Sequence, residues 1–98
     1  MQKILKILFY YIQVEGKIVV FVPEWTGYGS TVQYRTRGAS EASKKGAVAS
    51  LIRSIAPFSI GSPHTGAQSY AKDIKPIPTA CITIEDAHMI LRLYRNGK

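Results

Sequence analysis

Lys17-Ile18-Val19-Val20-Phe21-Val22-Pro23-Glu24-Trp25-Thr26-Gly27-Tyr28-Gly29-Ser30-Thr31-Val32-Gln33-Tyr34-Arg35-Thr36 is the stretch on which the fold reading turns. The near-continuous apolar run at 18–22 reads as a strand covered on both faces or central in its sheet. Pro23 has no backbone donor and should end that strand's pairing. Gly27 and Gly29 can supply positive φ for a turn flanked by Trp25 and Tyr28. Residues 31–36 then alternate, with Val32 and Tyr34 on one face and Thr31, Gln33 and Arg35 on the other, as in an antiparallel strand with one wet face.

Downstream, Ser40 is placed to cap a helix, with Glu41 in its first turn where a carboxylate is favourable. Ala47, Val48, Leu51, Ile52 and Ile55 recur at helical spacing, which predicts a basic, Ala-rich helix with Lys45 and Arg53 turned away from the apolar stripe. Gly46 then costs about 1 kcal/mol in the helix interior, and Pro57 stops the helix. Residues 58–78 hold three of the five prolines and no sustained periodicity, so a long loop is expected, with one turn of helix near 67–72. A short apolar strand at 79–83 leads into a last helix. Glu85 and Asp86 fall in its first turn, Thr83 pairs with Asp86 as a cap, Ala87, Ile90, Leu91 and Tyr94 are its apolar positions, and Gly97 ends it.

Upstream, residues 6–14 are aromatic and β-branched, and Glu15-Gly16 separates them from the strand at 17–22 as in an antiparallel hairpin. The two lysines before this apolar run superficially resemble a secretion signal. No small-residue cleavage site follows, however, and the run is too short to span a bilayer, so it reads as a mature strand. The expected order is β-β-β-α-β-α: an α+β fold, a mainly antiparallel sheet with two helices on one face. With 98 residues and 46% hydrophobic content, a single domain over 1–98 can bury a core without disulfides. Cys81 is the sole cysteine and sits in an apolar run, which fits a reducing, cytoplasmic location.

Val22-Pro23-Glu24-Trp25-Thr26-Gly27-Tyr28 resembles the Val-Pro-Asp/Glu-x-x-Gly signature of HicB-like antitoxin domains, and Ser40-Glu41-Ala42 to Ala47 is similar to that family's helix start. The resemblance implies a degenerate ribonuclease-H-like domain that binds a small basic toxin and has no nuclease chemistry of its own. Gly38-Ala39-Ser40 followed by Lys44, Lys45, Ala47 and Ala49 is similar to the end of a double-stranded-RNA-binding domain. That likeness implies lysines presented to phosphates, although here a strand-like segment replaces the helix with which such domains begin.

The chemistry follows from charge more than from motifs. Thirteen Lys and Arg against six Asp and Glu give a net charge of +7, a field that draws polyanions or an acidic protein. Arg35, Arg37, Lys44, Lys45 and Arg53 could share a face and neutralise phosphates, while Trp25 and Tyr28 could form a recognition tip or fold back over the sheet. His64, His88 and Cys81 lack zinc spacing, so no metal or other cofactor is expected. Ser62 near His64 has no third orienting group, and helix capping accounts for Glu41, Glu85 and Asp86, so no enzyme chemistry is expected. The reading is therefore a non-enzymatic binding module acting through protein contact, a homodimer through a sheet edge, with no membrane association. The alternative is a basic nucleic-acid-binding domain.

Overall fold

The computed structural model describes residues 14–97. The hairpin arm expected at 6–14 lies, apart from Val14, outside those residues. Strand β1 (Ile18–Phe21) forms where the apolar run begins. After Pro23 the chain turns at Gly27, whose φ of 119° favours glycine. A single turn of helix, α1 (Tyr28–Thr31), follows, fastened by the Thr31 hydroxyl donating to the Gly27 carbonyl at 2.6 Å. Helix α2 (Gln33–Lys44) succeeds it after Val32. The remaining elements are β2 (Ala49–Arg53), β3 (Thr79–Ile82) and α3 (Ile84–Arg95).

All three strands run parallel, in the order β1-β2-β3. Phe21 pairs with Ile52, and Ile52 with Cys81. The expected antiparallel α+β sheet is thus replaced by a βαβ unit extended by one strand. The physical reason is that residues 31–36 are helical. The turn at Gly27 feeds a helix, and a helix between β1 and β2 carries the chain back to start β2 in the same direction.

The second correction concerns residues 40–55. The helix ends at Lys44 instead of beginning at Ser40, and Gly46, at φ 92°, terminates it. The Gly46 N–H bonds the Ser43 carbonyl at 2.9 Å and the Ala47 N–H the Ala42 carbonyl at 3.0 Å, the paired closure of a Schellman motif. A side chain at Gly46 would also meet Glu15 Cγ at 3.0 Å. Ser40 lies mid-helix and nearly buried, accepting from the Ala71 N–H at 2.9 Å, and Glu41 is on the exposed side. The run at 47–55 fits either period, and its short length and flanking glycine favour the strand it becomes.

Val19, Phe21 and Ile52 point to one side of the sheet and pack with Ala42 of α2, Val14, Ala47 and Ile55. Gly38 lets α2 approach closely, since a Cβ there would stand 3.1 Å from Phe21 Cε2. Adding strands in chain order with right-handed crossovers puts both connections over the same face. Accordingly, the segment between β2 and β3 is tied to α2. Its Ser69 N–H bonds the Thr36 carbonyl at 3.2 Å, and the Ser43 hydroxyl donates to the Lys75 carbonyl. No helical turn forms at 67–72. The Gly66 backbone presses on the Arg35 guanidinium so closely that a Cβ would lie 2.6 Å from Cζ.

Helix α3 starts as its capping pair predicts, the Thr83 hydroxyl accepting from the Asp86 N–H at 3.0 Å. Ile84 and Ala87 are buried, whereas Tyr94, read from the sequence as apolar face, is exposed. Thr83→Ala should cost about 1 kcal/mol in a denaturant titration, with Thr83→Ser retaining most of the cap. A cost near zero for the alanine variant would mean the cap is not formed in solution. No helix among the described residues is long and apolar enough to cross a membrane.

Candidate binding pocket at the carboxyl ends of the strands

Alternation along β2 sends Ser50 and Ile52 toward α2 and leaves Leu51 and Arg53 on the opposite face. Arg53 ends β2 and is paired in register with Ile82, the last residue of β3. Across β1, the chain just beyond Phe21 supplies Val22, Pro23, Glu24 and Trp25. From α3, His88, Leu91 and Arg95 arrive on one helix side, being spaced i, i+3 and i+7. Together these eight residues enclose a pocket of about 300 Å³. Its place outside the carboxyl ends of parallel strands is where open α/β sheets hold ligands, although the order β1-β2-β3 contains no reversal.

Arg53 sets the electrostatics. It is 4% exposed, its Nη1 donates only to the Ser54 carbonyl at 3.3 Å, and its buried Nε has no acceptor. Burial pushes its pKa below the usual guanidinium value, since desolvation penalises the charged form. An under-used guanidinium in a half-apolar recess is costly to keep, which makes it a candidate for function.

The sequence-derived site residues do not assemble as one basic face. Arg37, Lys44 and Lys45 are exposed on or just after α2. Arg35, on α2 as well, is 8% exposed and lies under the 58–78 segment, with its Nη2 donating to the Tyr28 hydroxyl at 2.9 Å and its Cζ 5.8 Å from the Tyr28 ring centre. Arg53 faces the other side of the sheet. Trp25 is half-buried, packing against the core while also lining the pocket. Sequence reasoning missed His88, Leu91 and Arg95, whose common helical side was the available signal.

A second polar centre joins the 58–78 segment to α3. The Glu85 carboxylate accepts from the Ser59 hydroxyl and, at 2.6 Å, from the Gly61 N–H. These bonds, Ser59 first and then the Gly61 amide, hold its pKa below the ordinary carboxylate value, with its own backbone amide adding to them and desolvation opposing. A pKa depressed by folding contributes stability that is present above the unfolded value and lost as pH falls through the folded one. Protection of the Gly61 amide against hydrogen exchange should therefore fall as pH drops below the ordinary carboxylate range. Glu85→Gln should abolish that dependence, and equal pH profiles for the two proteins would remove the assignment.

Among the described residues no group of three or more His, Cys, Asp or Glu is placed to hold a metal ion. No protein-family model matches the sequence. Comparison with known proteins is more informative: carboxypeptidase Q of Bos taurus is 60% identical over 83 residues. The chain is similar to carboxypeptidase Q. The Bos taurus match takes in 85% of this chain and 18% of that protein, and the Homo sapiens carboxypeptidase Q is 58% identical over 85 residues, 87% of this chain and again 18% of the relative. The chain thus spans under a fifth of the length of these relatives. A crystal structure of a peptidase M28 precursor from Shewanella amazonensis SB2B superposes with a TM-score of 0.77 at 34% identity, over 87% of this chain and 21% of that one.

These matches overturn the HicB-like resemblance, which rested on a seven-residue turn motif and a helix start, whereas the carboxypeptidase Q likeness covers 85–87% of the chain. They also overturn the expectation of a non-enzymatic binding module, and with it the nucleic-acid alternative, because the matched proteins are peptidases.

Proposed function

We propose that this chain serves peptide hydrolysis, doing in its protein what the matching segment does in carboxypeptidase Q. The observation that carries the reading is identity of 58–60% sustained over 83–85 residues. Such identity over 85–87% of the chain favours one shared structure and one shared role. The parallel sheet and its TM-score of 0.77 to a peptidase M28 precursor support the same reading.

Of the acids late in the chain, Glu85 fastens the 58–78 segment through its carboxylate, while at the α3 cap it is the Asp86 backbone N–H that donates to the Thr83 hydroxyl. The experiment is a graft. The matched segment replaces its counterpart in Bos taurus carboxypeptidase Q, and release of C-terminal residues from a peptide is followed by chromatography. Activity within tenfold of the parent is expected. A chimera that folds with unchanged circular dichroism but releases nothing would overturn the proposal.

A further inference from the structure

We propose that the pocket around Arg53 binds a carboxylate attached to an apolar group, the terminal acid of a peptide or a released amino acid. Three observations converge. Arg53 lines the pocket, is 4% exposed, and commits only one weak hydrogen bond, to a carbonyl at 3.3 Å. A guanidinium offers five N–H donors in a planar fork that matches a carboxylate in bidentate fashion, so most of its capacity is unspent. Val22, Pro23, Trp25 and Leu91 supply apolar walls beside the charge, with Trp25 providing a flat face.

The charges of the lining narrow the ligand further. Two arginines, Arg53 and Arg95, stand against one carboxylate, Glu24, which has an interaction of its own. A single negative charge fits this balance. A phosphate dianion would leave the apolar walls uncovered. The volume of about 300 Å³ suits one amino-acid-sized group at the lower end of ligand pockets. This site is argued from its own lining and does not depend on the peptidase reading.

The test is a calorimetric or NMR titration of the full 98-residue chain with four probes: N-acetyl-phenylalanine, N-acetyl-phenylalanine amide, free phenylalanine and inorganic phosphate. The acetylated acid should bind at least tenfold more tightly than its amide and than phosphate. Tighter binding of the acetylated acid than of free phenylalanine assigns the site to a peptide end, and the reverse to a released amino acid. Arg53→Met, close in shape but uncharged, should lose at least tenfold in affinity for the acid with no fall in Tm. Arg95→Gln, at an exposed position, gives a second reading should Arg53→Met fail to fold, with an expected loss of severalfold. Equal binding of acid and amide, equal or better binding of phosphate, no binding of any probe, or unchanged affinity in the folded variants would overturn the proposal.

Discussion

Phe21→Ala should lower stability by about 3–5 kcal/mol, a large part of the roughly 5–15 kcal/mol that a domain possesses. Phe21 is 1% exposed, at the centre of the layer between sheet and α2. Its ring lies 6.1 Å from that of Tyr34 at 57°, a tilted arrangement that favours an aromatic pair, and it closes against Gly38. Removing it opens a cavity that the β1-β2 ladder on one side and α2 on the other cannot collapse to fill. Equilibrium unfolding in urea checks the magnitude, and a loss below about 1 kcal/mol would place the ring elsewhere. Gly38→Ala adds a sign test. In the parent, the gain of about 1 kcal/mol in helix propensity is offset by the 3.1 Å approach to the ring. In the Phe21→Ala background the same substitution has room and should stabilise.

The second large effect is expected at Gly66→Ala, about 1–3 kcal/mol of overpacking. The added Cβ would fall 2.6 Å from Arg35 Cζ and 2.7 Å from Nη2. A guanidinium on a free stem would swing aside, but this one is buried and bonded to the Tyr28 hydroxyl. The strain should release as local opening, so amide exchange at Ser69 and Ala71, which bond α2, should accelerate more than exchange in β1. Gly29→Ala is the control: nothing lies within 4 Å of its Cβ position, and it should be neutral or mildly stabilising. Combining Gly66→Ala with Arg35→Ala should cost less than the sum of the two single changes, since the clash disappears with the guanidinium. Strict additivity would show that the two groups do not meet.

What could be read from the sequence was what is locally encoded. The apolar run stopped by Pro23 gives β1, and Thr83 with Asp86 gives the start of α3 within a residue or two. What misled were segments whose local preference is overruled by packing. Val32, Tyr34 and Thr36 carry strand-like side chains, yet Val32 and Tyr34 pack against the core from the helical side. Ala47 to Ile55 fits a helical stripe as well as it fits alternation, and the choice is made by Gly46 just before it and by ladders to β1 and β3 that no short window contains. Strand direction is of the same non-local kind, and misreading 31–36 as a strand forced the antiparallel sheet. The pocket was hidden for a related reason. Arg53 looked like an outward cation on a helix, whereas as the last residue of a buried strand it is turned into the molecule.

The Schellman closure at Gly46 sets a frame as well as ending a helix. From it, the Gly46 carbonyl accepts from the Gly16 N–H at 2.9 Å, and the Val48 N–H reaches the Lys17 carbonyl at 2.9 Å, so that Ile18 comes to face Ala49. One residue inserted or deleted between Lys44 and Ala49 would exchange the two faces of β2, driving Arg53 into the Phe21 layer and Ile52 out into the pocket. A residue added at Ser62 or Pro63, between the anchored Gly61 and His64 amides, costs only a small increment of closure entropy and leaves those anchors in place. Length variation among natural versions of this fold should therefore crowd there, while the four-residue passage from α2 to β2 keeps its spacing even where its side chains change.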